Sequence, residues 1–528
     1  MSRMKWGVKV VAVAAACSLA LSACGGGSDS SADGTAGSTS AAEAVDGGTI
    51  TAAVAYETTN YHPSSTSSAL ALGANWHVVE GLWELNMTTY EPFKALSASD
   101  DPVEVSDTQY EVSLRDGAKF SDGTDVTADD VVASFERSMA EGNIYTPMLK
   151  FISSVEKKDD TTVTINLEYP FSLLKQRLSL VKIVPASATD DELTAKPIGT
   201  GPWQYDSITE QAINFVPNEY YNGDYPATAD NMQWEILKDD TARTTAMQEG
   251  TVDVMESVPA DAAALIESAG AVITAVQGFN LPFLMFNTKK APFDDERVRQ
   301  AFFYAIDTNK LIDNALSGQA TAATSFLPED HPNYNEASTV YTYDPEKAKE
   351  LLAEAGVDGL SITLLTTDHT WITALSPQIK NDLEAVGISV EIQALASSSL
   401  YADYTDVDDP QFDVVLAPGD PSVFGNDPDL LMNWWYGDNS WTQKRTQWKD
   451  SEGYTELHEI LDAAVQTSGD EQQELWNQAF DLISEQVPLY PLFHRQVVTA
   501  YYPDAIANYS PIGTTGLNFI GSSATSTD

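Results

Sequence analysis

Residues Ile379–Ile392 read IKNDLEAVGISVEI, and this short run decides the fold class. Ile379 to Val386 has helical spacing, Gly387 stops it, and Ile388 to Ile392 alternates apolar and polar residues as a strand does. Glycine at such a stop reaches the left-handed backbone that other residues adopt only at a cost. The unit recurs earlier, with Thr241 to Glu249 as the helix, Gly250 as the stop and Thr251 to Met255 as the strand. Helices alternating with strands predict α/β lobes with largely parallel sheets, one near residues 190–285 and one near 290–490.

Further signals lie outward from these units. Thr49 to Ala55 is β-branched and alternating, which predicts a strand, followed by a loop from Tyr56 to Ser68. Thr127 and Asp130 are spaced as a capping box ahead of an apolar stripe, Val131, Phe135 and Met139. Asp344-Pro345 opens a helix that Gly356 closes, and Val298, Ala301, Phe302 and Ala305 share a helical face. The stretch from Val103 to Leu167 has a different grammar, with strands at Thr108–Leu114 and Thr162–Leu167 around one helix. It reads as an α+β insert.

The amino-terminal residues are not part of this body. Arg3, Lys5 and Lys9 precede an apolar run from Val10 to Leu21, the pattern of a secretory signal peptide over 1–23. Leu21-Ser22-Ala23-Cys24 is similar to a bacterial lipobox, which makes Cys24 the lipidated first residue of the mature chain. Cys17 falls within the removed stretch, so no disulfide is expected. Residues 24–47 carry Gly, Ser, Ala and Thr without apolar periodicity and read as a flexible tether, spanning roughly 25 Å. No later segment has the roughly 18 apolar residues of a membrane span. The chain is expected on the outer face of the cell membrane, held there by lipid.

The 528 residues include 78 Asp+Glu against 28 Lys+Arg, a formal charge of −50, with 43% apolar residues. That apolar share suits a folded protein of about three domain-sized units. No nucleic-acid partner is expected, since phosphate binding draws on Lys and Arg. High like charge also favours a monomer.

Enzyme motifs are missing: no Gly-x-Ser-x-Gly elbow, phosphate loop or His-Glu-x-x-His occurs, and the six histidines are scattered. Gly199-Thr200-Gly201 reads as a tight turn and Asp368-His369 as a solvated loop. No metal ligand set and no cofactor are expected. Aromatic residues in polar loops do stand out, at Asn60-Tyr61, at Phe279-Asn280 and along Asp420–Trp441, DPSVFGNDPDLLMNWWYGDNSW. Rings beside carboxylates and amides make good ligand walls. Trp434, and to a lesser degree Trp435, also read as core residues of a helix after Asn426-Asp427-Pro428, and successive helical residues point about 100° apart.

Several segments together resemble the extracytoplasmic solute-binding proteins of family 5, the oligopeptide, dipeptide and nickel class that feeds ATP-binding-cassette importers. They are Val79-Glu80-Gly81-Leu82, Tyr110 to Gly123 (YEVSLRDGAKFSDG) with Thr127 to Val131, Gly199-Thr200-Gly201-Pro202, Gln248-Glu249-Gly250 with Asp253, Phe286-Asn287-Thr288, and Pro292 through Arg299 to Asp307. Most are scaffold: Gly117 and Gly123 make turns, Asp122 braces its loop, and Arg299 is expected to pair with a carboxylate.

The resemblance implies a two-lobed α/β fold of the periplasmic-binding-protein kind (type II, class C) with an extra α+β subdomain in the first lobe. Lobe I would comprise 48–75, 191–286 and 498–528, the subdomain 76–190, and lobe II 287–497. It also implies a small peptide ligand closed between the lobes, ABC permease and ATPase subunits as partners, and no reaction. Asp420 is the candidate for meeting a peptide's α-amino group, although Ser422 to Gly425 lengthens the loop after it. Asn60, Tyr61, Phe279, Asn280, Trp435 and Tyr436 would line the cleft. Other readings are an oligosaccharide-binding member of the family, a wall-associated hydrolase, and a peptide sensor that does not import.

Overall fold

The computed structural model describes residues 43–141 and 143–526. The expected signal peptide, Cys24 and the tether as far as residue 42 lie outside the described residues. No helix among the described residues is long and apolar enough to cross a membrane.

Two large sheets carry the body. The first orders its strands Val272–Gln277, Phe493–Tyr501, Val254–Met255, Thr49–Val54, Asn231–Ile236, Ala212–Pro217 and Trp203–Ile208, with Ala320–Ala322 added to the long Phe493–Tyr501 strand. The second runs Ser389–Leu395, Ser361–Thr367, Val414–Gly419, Leu281–Phe286 and Leu489–Pro491. The expectation of largely parallel sheets is corrected here. Thr49–Val54 has parallel neighbours on both sides, as does Ser361–Thr367, and the other pairs are antiparallel. The reason is connectivity: helix-linked crossovers give parallel pairs, whereas hairpins and returning segments such as Phe493–Tyr501 enter antiparallel.

Local signals account for the helices. Thr127 and Asp130 form a reciprocal capping box on Ala128–Ser138, and Asp344 caps Pro345–Glu354 by accepting from the Lys347 N–H. Gly387, at φ 93°, ends Ser376–Ala385 in the left-handed region, and Gly250 does the same at φ 68°. Val298, Ala301, Phe302 and Ala305 are all fully buried.

Both faces of the first sheet are covered. Ile50, Ala52 and Val54 enter one apolar cluster while Ala53 enters the other, the alternation that a strand imposes. A separate four-stranded antiparallel sheet, ordered Val103–Ser106, Gln109–Ser113, Thr162–Leu167 and Ile152–Asp159, forms the α+β insert with Ala128–Ser138.

The chain passes between the two large sheets at two places. Gln277 pairs in the first sheet and Leu281 in the second, so one crossing is 278–280; the return follows Pro491 and is complete by Gln496. The outward crossing precedes Asn287, where the sequence reading put it. The Leu281–Phe286 strand is buried throughout and belongs to the second sheet.

Scaffold motifs converge. Glu80 accepts from the Arg115 guanidinium at 3.0 Å and the Thr200 hydroxyl at 2.9 Å, tying three separated motifs into one buried network. Asp122 accepts from the Thr124 N–H and hydroxyl, bracing its loop. Arg299 departs from expectation: it donates to the Phe293 and Gln486 carbonyls and, among the described residues, to no carboxylate. Burial without a counter-ion pulls its pKa down to about 10. A Cβ on Gly199 would lie 2.1 Å from the Val78 carbonyl oxygen. Gly199→Ala is therefore expected to lower the unfolding free energy by about 1–3 kcal/mol or more, and an unchanged urea midpoint would contradict this close packing.

Candidate functional site

A cavity of about 280 Å³ opens between the sheets. It lies where Thr49–Val54, Ser361–Thr367 and Val414–Gly419 end, and the carboxyl ends of strands are the usual ligand crevice of open α/β sheets. Tyr56 follows the first of these strands, His369 the second and Asp420 the third, and all three residues line the cavity. Asn280 reaches it from the outward crossing and Thr515 from the carboxy-terminal segment.

Aromatic rings make the opposite wall. Pro428–Tyr436 is a helix with Asp427 as its cap, and both Trp434 and Trp435 from it line the cavity. Trp435 is fully buried, resting on Phe279 and Phe283 at 5.7 Å and meeting Trp441 edge-on at 6.4 Å. A Cβ on Gly419 would lie 2.4 Å from the Trp435 ring, so the strand end must be glycine for the ring to seat. Trp434 packs on Phe424 with centroids 4.7 Å apart. Trp441 begins a π-helical turn, Trp441–Arg445, and Arg445 lies 4.1 Å over Tyr401 and 4.2 Å over Trp441 while gripping Asp406 bidentately. Arg445 thus presents its cation already neutralised.

Asp420 is different. Its Oδ2 accepts from the Thr515 N–H and hydroxyl, each at 2.7 Å, and from the Thr514 hydroxyl at 3.2 Å; Oδ1 accepts from the Ser422 hydroxyl. No cationic side chain among the described residues lies within ion-pair distance of it. Desolvation raises its pKa, and the four donors offset this only in part. Two other buried polar atoms of the wall, Asn280 Oδ1 and Trp435 Nε1, have no hydrogen-bond partner, while the Asn280 amide N–H donates to Thr515 at 3.0 Å.

Of the residues expected from sequence, Asn280, Asp420 and Trp435 come together on this cavity. The others fall elsewhere. Asn60 shapes its own loop by accepting from the His62 N–H. Tyr61 is buried beside Tyr205 in the first-sheet core, where burial pushes its pKa up to about 12. Phe279 backs Trp435, and Tyr436 turns away to donate its hydroxyl to the Leu489 carbonyl at 2.7 Å. Phe424 and Trp441 belong to the aromatic stretch singled out from the sequence, and Tyr56, Tyr401, Arg445 and Thr515 were missed. Nothing local marks Thr515. No group of three or more His, Cys, Asp or Glu poised to hold a metal occurs among the described residues.

A two-lobed α/β body with a cavity at its strand ends is the fold of the type II periplasmic binding proteins. The chain belongs to the bacterial extracellular solute-binding proteins, family 5, whose description (family 5 Middle) matches residues 91–443. It is 30% identical to heme-binding protein A of Haemophilus influenzae over 74% of this chain and 77% of that protein. It is 26% identical to the glutathione-binding protein GsiB of Escherichia coli over 86% of this chain and 90% of that one. Among solved structures, DppA of Helicobacter pylori in complex with the peptide STSA superposes with a TM-score of 0.81 at 22% identity, covering 91% of this chain and 99% of that one. AppA of Bacillus subtilis in complex with a nonapeptide gives a TM-score of 0.77 at 21% identity, over 91% and 99% of the two chains.

Because the raised pKa makes folded Asp420 bind its proton more tightly than the unfolded chain does, the stability linked to it is full below the ordinary aspartate range and is lost as pH rises through the raised value. Asp420→Asn cannot ionise, so its stability relative to the native chain is expected to increase as pH rises above the ordinary aspartate range, near about pH 4. Parallel melting-temperature profiles for the two proteins would refute this.

Proposed function

We propose that this chain captures short peptides with a free amino end and hands them to an ABC importer, carrying out no reaction itself. The observation that carries the reading is Asp420: a desolvated carboxylate on the cavity wall with hydrogen-bond donors but no counter-ion. An ammonium group is the ligand feature that offsets such a charge. The rings of Trp434, Trp435 and Trp441 would contact side chains loosely, and Asn280 Oδ1 with Trp435 Nε1 would supply an acceptor and a donor for peptide groups. Kinship with DppA and AppA, both seen with peptides, supports the same reading. The lipobox at Cys24 and the tether would hold the protein beside its permease and ATPase on the outer face of the membrane, as a monomer.

Three tryptophan rings on one wall also suit stacking on sugars, which makes oligosaccharides the second reading. Thermal unfolding against di- to octapeptides and cello- and malto-oligosaccharides separates the two. A peptide at a hundred times its dissociation constant is expected to add about 2.7 kcal/mol of stability, and Asp420→Ala is expected to abolish the preference for free over acetylated amino ends. A shift with sugars alone would replace the ligand, and turnover of a peptide or glycan would replace binding with hydrolysis.

A further inference from the structure

The cavity helix Pro428–Tyr436 is gripped at its amino end by a residue of the insert. Arg177, 1% exposed on the short helix Leu174–Leu178, donates to Asp427 Oδ1 at 2.7 Å and through both terminal nitrogens to Asp429 Oδ2 at 3.0 Å. It also donates to the Met148 carbonyl at 3.0 Å. The two carboxylates are committed to the helix as well: Asp427 caps the Leu430 N–H, and Asp429 accepts from the Asn433 side chain. Burial opposes the charge on Arg177, but the two carboxylates more than offset it and hold its pKa above the ordinary value.

The insert is fastened to the first lobe. The Glu80–Arg115–Thr200 network ties it there, as do the Asn143 amide to the Ser64 carbonyl and the Tyr145 hydroxyl to the Thr66 carbonyl, each at 2.8 Å. The cavity helix follows a strand of the second sheet, Val414–Gly419, across the loop 420–427. Arg177 therefore spans the seam between the halves that part when the cavity opens. The rest of that seam includes polar contacts water can replace: the Gln472 amide on the Ser172 hydroxyl at 2.8 Å, the Ser172 N–H on the Val465 carbonyl at 3.2 Å, and Lys150 with Asp462.

We propose that Arg177 is a positioning residue that latches the closed state, holding the tryptophan-bearing helix against the insert through Asp427 and Asp429 and releasing it to water on opening. The proposal rests on the reading that ligand is captured between the lobes. Breaking a buried pair by removing one partner strands the other charge. Without Arg177, closing would bury two carboxylates unpaired, whereas the open state would leave them hydrated.

Ser172→Cys/Gln472→Cys in the full chain, with Cys17 and Cys24 replaced by serine, provides a trap for the closed state that needs no ligand. Arg177→Met is expected to slow disulfide formation at least about tenfold, and adding Asp429→Asn is expected to restore part of the rate. With Ala-Ala-Ala as probe, Arg177→Met is expected to weaken binding by a similar factor while leaving the ligand-free melting temperature unchanged. An unchanged trapping rate, or a ligand-free melting temperature that falls as far as the peptide-bound one, would overturn the latch. Failure of the native chain to bind Ala-Ala-Ala counts against the peptide reading alone, since the trapping rate still decides for or against Arg177.

Discussion

The cavity depends on two stretches of backbone that run side by side between the sheets. The Arg495 N–H donates to the Asn280 carbonyl at 2.6 Å, and the Leu492 N–H donates to the Pro282 carbonyl at 3.0 Å. A Cβ at Gly278 would lie 1.6 Å from the Gly513 carbonyl oxygen, so the carboxy-terminal segment is pressed onto the outward crossing. Asn280 belongs to this crossing and to the cavity wall at once. Its side-chain amide donates to Thr515 at 3.0 Å, which ties the outward crossing directly to the carboxy-terminal segment at the cavity wall. Next to it, His494 is buried and bonds the Phe326 carbonyl, and desolvation lowers its pKa to about 4. The return crossing is thereby kept free of a histidine charge at neutral pH.

Buried charges in this protein are met in more than one way. Glu80 has Arg115 and Thr200, Arg177 has two carboxylates, and Glu256 accepts from the Ala55 and Gly516 N–H groups. Arg299 is satisfied by carbonyls alone. In each case the arrangement is complete within the chain and serves to pin segments distant in sequence. Asp420, like Glu256 and Arg299, has hydrogen-bond partners and no ion pair among the described residues, but it alone of the three lines the cavity. In a chain with formal charge −50, the general field makes the cleft still less hospitable to a bare carboxylate and more attractive to a cation.

What the sequence disclosed was whatever a few neighbouring residues decide. The Thr127–Asp130 box, the Asp344-Pro345 start and the Gly387 stop are each set within one turn of helix, and the chain builds them where the pattern puts them. The family motifs were legible as scaffold, but their convergence on Glu80, Arg115 and Thr200 was not, because 120 residues separate Glu80 from Thr200. Trp435 and Tyr436 looked alike as aromatic neighbours, and only the roll of the helix sends one to the cavity and the other to Leu489. Arg299 looked like half of an ion pair because charge pairing is the common solution. The Phe293 and Gln486 carbonyls that it uses instead have no sequence signature. Thr515 was hidden for the same reason: its contribution is a backbone N–H and a hydroxyl, which any threonine possesses.

The geometry at Asp420 bears on what kind of ligand group it can take. A carboxylate offers about four acceptor positions. Oδ2 already receives three donors and Oδ1 receives one, from Ser422. At about two positions per oxygen, Oδ2 is over-filled by its three donors, and one position is left at Oδ1. A sugar hydroxyl could fill that position, but a neutral donor leaves the desolvated charge in place. An ammonium fills it and cancels the charge, and still has two protons to place. Asn280 Oδ1, unpartnered on the same wall, can accept one of them. The wall therefore has more to offer a primary amine than a hydroxyl, and the difference lies in charge, since either group can make the single hydrogen bond.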